Sequence, residues 1–169
     1  MAQNSFTQHC RQEADTTALA QNLASSLSQL FQADPSAHLN ISLEGDLGAG
    51  KTTFARHLIQ ALGYEGRVKS PTYTLCEPYP LQLKDHAITI HHFDLYRMRD
   101  PLEWQEAGFA EHFDVPGICL IEWPEKAEGT LPELDIQIQL AAGADENERA
   151  IKINALTPSG LSTLKEIRQ

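Results

Sequence analysis

A glycine-rich segment that runs into a lysine and two threonines carries the clearest chemistry in this sequence. Gly45, Gly50, Lys51 and Thr52 follow the spacing Gly-x-x-x-x-Gly-Lys-Thr of a phosphate-binding loop. Glycine can adopt the positive φ angles that let successive backbone N–H groups converge on the β-phosphate of a nucleotide. In such a loop the lysine reaches the β- and γ-phosphates, and the threonine hydroxyl can hold Mg²⁺. The predicted nucleotide ligands are Gly45, Asp46, Leu47, Gly48, Ala49, Gly50, Lys51, Thr52 and Thr53.

The segments on either side of this loop must hold it in place. Residues 38–44 have the apolar alternation of a strand, and a helical pattern begins at Thr52 and stops at Gly63. The N-terminus of such a helix carries roughly half a positive charge and would face the phosphates. The order strand, loop and helix therefore predicts a site for a nucleoside triphosphate, with Lys51 as a catalytic residue.

Two acidic residues at the ends of predicted strands are candidates for work on the bound phosphates. Residues 118–121 form a continuous aliphatic run, typical of a buried parallel strand, and Glu122 follows it. Asp94 follows a second strand-like run at residues 88–93. We expect Glu122 to be a direct Mg²⁺ ligand beside Thr52, and Asp94 to position water or support the metal ligands. The sequence alone leaves open which of the two acids has which role. The alternative for either residue is a solvated acid at a strand end.

Side chains outside the phosphate loop are also candidates for the site. Thr72 and Thr74 lie on a loop after the helix that follows the phosphate-binding loop. Many nucleotide switches place a hydroxyl that senses the γ-phosphate at this point. The alternative is that both threonines only satisfy the preference of a strand. Trp123 follows Glu122 and could stack on a ring or fill a pocket of a partner; ordinary core packing is the alternative.

The rest of the sequence predicts an α/β fold. A helical repeat of leucines begins near Asp15, and either Asp15 or Thr16 is suited to cap it. A polar break at residues 82–86 predicts a hairpin across residues 74–94, so the sheet should contain antiparallel as well as parallel strands.

The C-terminal third completes this prediction. Isoleucines alternate with polar residues around positions 136–140 and 151–153, which predicts a half-exposed strand pair, and a helix should follow at residues 159–167. We expect a single P-loop domain over residues 1–169, with a central mixed parallel and antiparallel sheet flanked by helices.

Composition and charge exclude several classes of function. Hydrophobic residues make up 41% and charged residues 21% of the chain, and no apolar run approaches the roughly 20 residues that cross a bilayer. No signal peptide is visible, and the three scattered cysteines fit a reducing compartment, so we expect the cytoplasm and no membrane partner. A net charge of -10 argues against direct binding of DNA or RNA, so a partner should carry any nucleic acid.

Four ordered motifs resemble those of the bacterial TsaE family, also called YjeE, which are small P-loop ATPases. They are residues 45–53 (GDLGAGKTT), 68–75 (VKSPTYTL), 92–97 (HFDLYR) and 121–125 (IEWPE). The resemblance covers residues 45–125, whereas the flanking segments are generic. Members of the family are needed for N6-threonylcarbamoyladenosine formation at position 37 of tRNA.

The resemblance implies roles for several residues. ATP would occupy the phosphate loop, Mg²⁺ would be held by Thr52 and Glu122, and Asp94 would be the family's essential switch acid. Thr16 lies near the segment that approaches the adenine in the family, and Thr72 belongs to the second motif. The family binds the TsaB–TsaD pair, hydrolyses ATP for repeated rounds of modification, and reaches tRNA only through these partners.

Rival functions remain open from the residues themselves. A small-molecule kinase shares the phosphate loop but needs an arginine-rich lid, which is not evident, and a regulatory GTPase needs an Asn-Lys-x-Asp run, which does not occur. A non-catalytic binding module, in which ATP only orders loops around Thr72 and Asp94 for a partner, belongs to a different class.

Overall fold

The computed structural model describes residues 4–71 and 74–167 of the chain. Its strands are β1 (Ser5–Cys10), β2 (His38–Glu44), β3 (Cys76–Leu83), β4 (His86–Asp94), β5 (Gly117–Glu122), β6 (Ile136–Ala142) and β7 (Arg149–Ala155). Its helices are α1 (Glu13–Ala33), α2 (Lys51–Ala61), the single turn α3 (Glu103–Glu106) and α4 (Pro158–Ile167). Two short 3₁₀ helices lie at Ala110–Asp114 and Pro124–Ala127. Thr72 lies outside the described residues.

All seven strands join in one mixed sheet with the order β1-β7-β6-β2-β5-β4-β3. The four central strands, β6, β2, β5 and β4, run parallel to one another. Strand β7 pairs antiparallel with β6 and β1, and β3 pairs antiparallel with β4. The α/β fold and the hairpin of β3 and β4 are therefore confirmed. Because the carboxyl ends of parallel strands meet at one edge of a sheet, β2, β4 and β5 deliver their last residues to the same place.

The sheet is covered differently on its two faces. Helices α1, α2 and α4 pack over one face, where leucine and isoleucine side chains of the central strands form the larger core. The opposite face of β4 and β5 packs against α3 and the 3₁₀ helices through a smaller aromatic cluster that includes Phe93, Trp104 and Phe113. Strand β5 is buried along its whole length, as the aliphatic run predicted.

Two features near the N-terminus differ from the sequence prediction. Strand β1 was not predicted, because it is a short strand with mostly polar residues that pairs with β7 at the edge of the sheet. Helix α1 begins at Glu13, with Gln12 rather than Asp15 or Thr16 in the capping position. The Asp15 carboxylate instead accepts hydrogen bonds from the backbone N–H groups of Arg11 and Gln12 from within the first turn.

Within residues 4–71 and 74–167, no helix is both long and apolar enough to cross a membrane.

Candidate nucleotide-binding site

The phosphate loop connects β2 to α2 at the edge where the central strands end. Gly50 precedes the first helical residue with φ 100°, a left-handed conformation that a residue with a Cβ rarely adopts. Gly45 is required for a different reason: a Cβ at this position would collide with the carbonyl oxygen of Leu140 on β6. The loop therefore has the strand, turn and helix context that its sequence predicted, and its glycines have structural reasons of their own.

Lys51 is the first residue of α2, and its side chain turns back over the loop. Its Nζ donates hydrogen bonds to the carbonyl oxygens of Gly45 and Asp46, and it lies 3.6 Å from the ring centroid of Trp123. The residue is only 5% exposed. Burial lowers the pKa of the Lys51 ammonium, and the neighbouring carboxylates, Glu122 first, oppose this shift. Two carbonyl dipoles and an aromatic face thus hold the ammonium, and an anionic ligand can replace these contacts.

Thr52 and Glu122 contact each other directly. The Thr52 hydroxyl donates to the two carboxylate oxygens of Glu122 at 2.9 and 3.2 Å, and Glu122 is 2% exposed. Mg²⁺ prefers oxygen ligands, keeps several waters, and is usually held by one or two carboxylates together with substrate phosphates. Within the described ranges no group of three or more His, Cys, Asp or Glu side chains could hold a metal alone. One hydroxyl and one carboxylate at the mouth of a phosphate loop fit Mg²⁺ that enters with a nucleotide.

Asp94 lies opposite Glu122 in the register of β4 and β5. Its carboxylate accepts a hydrogen bond from the backbone N–H of Tyr96 at 3.1 Å. Burial raises the pKa of Asp94, and the charge of Glu122 adds to the shift, whereas the hydrogen bond, His92 and Lys51 oppose it. Two acids that end neighbouring parallel strands are thus brought to one cleft, as predicted.

A cleft of about 330 Å³ brings most of the predicted residues together. It is lined by Leu47, Gly48, Gly50, Lys51, Thr52, Thr53, Asp94, Tyr96, Glu122, Trp123 and Arg149. We call it the phosphate cleft. Leu47 on the loop is 68% exposed and Tyr96 is 41% exposed, so apolar side chains form part of its rim. Thr74, by contrast, donates its hydroxyl hydrogen to the carbonyl oxygen of Cys76 at the start of β3.

A smaller pocket of about 110 Å³ adjoins the phosphate cleft and is lined by Glu13, Thr16, Ala49, Gly50, Thr53, Leu140, Asn147 and Arg149. We call it the side pocket. Thr16 is 6% exposed, and its hydroxyl oxygen has no well-formed hydrogen bond in the described part of the chain. Burial raises the pKa of the nearby Cys10 thiol, and the proximity of the Thr16 hydroxyl opposes this shift. The structure thus places Thr16 beside the phosphate loop, in the lining of a pocket that shares Gly50, Thr53 and Arg149 with the phosphate cleft.

Arg149 was missed by the sequence analysis, although it lines both cavities. Its guanidinium donates to the carbonyl oxygens of Glu146 and Glu148, each at 2.8 Å, and lies 3.5 Å from the carbonyl oxygen of Gly48. Residue 149 begins β7, about a hundred positions beyond the loop, and no local motif marks it. His92 was also missed as a site residue, although the two-residue period of a strand places it on the same face as Asp94.

A mixed sheet with a strand, a glycine-rich loop carrying Lys51 and Thr52, and a helix defines a P-loop nucleotide-binding protein. A family model described as "Threonylcarbamoyl adenosine biosynthesis protein TsaE" matches residues 10–151. The chain therefore belongs to the TsaE family.

Individual relatives agree with this assignment. Proteins named tRNA threonylcarbamoyladenosine biosynthesis protein TsaE are 51% identical over 100 residues in Haemophilus influenzae and 37% identical over 158 residues in Rickettsia felis. These matches cover 59% and 93% of this chain and 61% and 83% of the relatives. The Bacillus subtilis relative of the same name is 42% identical over 64% of this chain and 65% of its own length. The chain thus spans just under two thirds of the Haemophilus and Bacillus proteins.

A solved structure has the same architecture. The crystal structure of Bacillus subtilis YdiB superimposes with a TM-score of 0.70 and 28% sequence identity, over 97% of this chain and 94% of that one. The likeness includes the flanks that carry no sharp motif.

Proposed function

We propose that this protein binds ATP with Mg²⁺ and hydrolyses it to support N6-threonylcarbamoyladenosine formation at position 37 of tRNA. The observation that carries the proposal is the contact of Thr52 with Glu122 at the mouth of a loop whose Lys51 contacts a loop carbonyl oxygen and the ring of Trp123. The relatives are named for the biosynthesis of this nucleoside, which supports the same pathway for this chain.

The binding roles follow from the geometry of the phosphate cleft. Backbone N–H groups of residues 45–52 bind the phosphate tail, and Lys51 exchanges its loop carbonyls for the β- and γ-phosphates. Thr52 and Glu122 supply one oxygen ligand each for Mg²⁺. When bound, the metal neutralises charge on the phosphate oxygens. Thr16 and Arg149 in the side pocket face the nucleoside end of the ligand.

Asp94 is proposed to orient the attacking water. Its carboxylate lines the cleft one strand away from Glu122, and the Tyr96 backbone N–H fixes one of its oxygens. The other oxygen can then accept a hydrogen bond from water next to the γ-phosphate. Thr72 in the second motif stays a proposed γ-phosphate contact, because many nucleotide switches place a hydroxyl on the loop that follows this helix.

The proposed partners are the TsaB–TsaD pair, in the cytoplasm, with tRNA bound by them rather than by this chain. The net charge of -10 supports this division of labour, because tRNA phosphates are bound by clustered Lys and Arg. The threonylcarbamoyl group is not transferred by this protein; ATP turnover sustains repeated cycles of the partners.

A second candidate is a non-catalytic module that uses ATP only to dock. The packing of Lys51 on Trp123, and of Trp123 on Tyr96 at a centroid distance of 4.9 Å, favours it as an alternative. A nucleotide that draws Lys51 away from Trp123 changes the support of this aromatic pair at the rim. Binding alone could therefore alter the surface that a partner contacts.

The test is ATP hydrolysis measured with and without TsaB, TsaD and tRNA, together with the number of modified tRNAs per molecule of this protein. We expect slow release of phosphate by the protein alone, a faster rate in the complex, and no phosphorylated metabolite. Asp94→Ala and Glu122→Ala should lose turnover while partner docking partly survives. Unchanged hydrolysis in both variants rejects the assigned roles, and modification without any hydrolysis supports the docking module.

A further inference from the structure

A buried histidine contacts the carboxylate that faces Thr52. The Nε2 atom of His92 lies 2.7 Å from Oε2 of Glu122, and the two side chains are 0% and 2% exposed. The proposed function uses Glu122 but gives no role to His92. Burying both polar groups costs free energy because each gives up its hydration, so a contact this short and this well shielded from water calls for an explanation.

The topology of the sheet explains how this contact arises. His92 and Asp94 are two residues apart on β4, so they project from the same face of the sheet. Asp94 pairs with Glu122 in the parallel register of β4 and β5, which makes His92 the diagonal neighbour of Glu122. Thr52 reaches the same carboxylate from the first turn of α2, which covers this face.

The two oxygens of Glu122 have different closest donors. Oε1 receives the shorter bond from Thr52, at 2.9 Å, whereas Oε2 receives the bond from His92 at 2.7 Å and a longer one from Thr52 at 3.2 Å. An ionised carboxylate only accepts hydrogen bonds, so Nε2 must carry a hydrogen. The Nδ1 atom of His92 is buried with no hydrogen-bond partner among the described residues, so the contact with Glu122 is made through Nε2 alone.

We propose that His92 is a positioning residue that fixes the Glu122 carboxylate for Mg²⁺ binding beside Thr52. This inference rests on the proposed function, because it assumes that Mg²⁺ enters the phosphate cleft with a nucleotide. With Oε2 held by the ring, Oε1 stays directed at the hydroxyl with which it would share the metal. Groups that orient a metal ligand in this way typically contribute 10- to 100-fold in metal affinity or activity, so about tenfold or more is expected here.

The neighbouring histidine provides a matched control. His91 is also buried but projects from the opposite face, where its ring stacks on His112 at a centroid distance of 3.8 Å. A substitution at His91 therefore removes a buried ring from the same strand without touching Glu122.

The test measures ADP binding by calorimetry in EDTA and in Mg²⁺ for the wild type, His92→Leu, His92→Gln and His91→Leu. In the wild type, Mg²⁺ should tighten ADP binding. In His92→Leu this Mg²⁺ effect, and the apparent affinity for Mg²⁺, should fall about tenfold, whereas the dissociation constant for ADP in EDTA changes by less than about twofold. His92→Gln should recover most of the Mg²⁺ effect, because its amide can donate to the same oxygen, and His91→Leu should match the wild type.

Several outcomes separate this inference from the proposed function. Wild-type binding that is insensitive to Mg²⁺ overturns the proposed function, and the role of His92 with it. A normal Mg²⁺ effect in His92→Leu overturns the role of His92 alone. Equal losses in EDTA and in Mg²⁺, with no recovery in His92→Gln, show a purely structural role and also overturn it. His92→Met, which has no donor and similar length, replaces His92→Leu if circular dichroism shows that the leucine variant is unfolded.

Discussion

The phosphate cleft and the side pocket share Gly50, Thr53 and Arg149, yet they are built from different kinds of sequence. The phosphate cleft combines one continuous loop with the ends of two neighbouring parallel strands. The side pocket combines the first turns of α1 with Leu140 on β6, Asn147 in the β6–β7 connection and Arg149 at the start of β7. Apart from Arg149, local motifs therefore specify the first cavity, whereas the second exists only after α1 and β7 have packed near the loop.

The two cavities also differ in their electrostatics. Lys51, Asp94 and Glu122 bring three charged groups to the phosphate cleft. The side pocket has the exposed Glu13 and the Arg149 that both cavities share, and its buried polar side chain is the neutral Thr16. This difference can be tested with two ligands. Tripolyphosphate resembles the tail of ATP and should need only the phosphate cleft, whereas ATP should need both cavities.

The largest effect is expected for Lys51→Ala. Charge-assisted hydrogen bonds contribute about 1.5–3 kcal/mol each, so the loss of contacts to two phosphates should weaken binding of ATP and of tripolyphosphate alike by at least about 100-fold. Calorimetric titrations with both ligands measure this. A variant that loses affinity for ATP but keeps that for tripolyphosphate would place Lys51 at the nucleoside end and break the comparison.

An intermediate effect is expected for Arg149→Ala, because Arg149 borders both cavities. We predict a loss of about tenfold in affinity for ATP, equivalent to roughly 1.4 kcal/mol, and a smaller loss for tripolyphosphate. Arg149→Lys serves as the control that keeps the charge but not the planar guanidinium. Wild-type affinity of Arg149→Ala for both ligands would exclude Arg149 from the site.

A smaller effect is expected for Thr16→Val, which should weaken ATP binding without lowering the stability of the fold. Loss of one neutral hydrogen bond should weaken ATP by about three- to tenfold and leave tripolyphosphate unchanged. Removal of a buried hydroxyl that lacks a well-formed partner should leave the free energy of unfolding unchanged or raise it. Paired ATP titrations and urea unfolding curves check both parts, and weaker tripolyphosphate binding would show that the two cavities are not separable.

The smallest effect on nucleotide binding is expected for His91→Leu, which touches neither cavity. Burial, followed by the charges of His112 and His38, lowers the pKa of His91 from 6.5 to about 4. The unfolded chain therefore binds a proton between these values that the folded chain does not, so stability should fall as the pH drops from 6.5 towards 4. His91→Leu should remove this contribution, on the order of 3 kcal/mol at full protonation, from the pH dependence of unfolding. Steeper acid destabilisation in His91→Leu than in the wild type would contradict the assignment.

The contrast between the phosphate cleft and the side pocket explains which parts of the fold and the site could be predicted from the sequence. The loop, its flanking elements and both strand-end acids were predictable. A continuous aliphatic run such as residues 118–121 indicates a buried parallel strand, and the residue after such a strand lies at the carboxyl edge of the sheet, where ligands bind. Strand β1 was not, because its polar residues lack strong alternation and it pairs with β7, far along the chain. Arg149 was not, since only closure of β7 onto β6 and β1 brings it to the loop. His92 could have been found from the two-residue period that ends at Asp94.

Calorimetric titration of the folded wild-type protein with ATP and with tripolyphosphate, each with Mg²⁺ and at two temperatures, tests most directly whether the loop at residues 45–52 binds a phosphate tail. The account predicts saturable binding of both ligands, with ATP tighter by about tenfold, or roughly 1.4 kcal/mol, because only ATP also occupies the side pocket. No binding of either ligand at millimolar concentrations would contradict it.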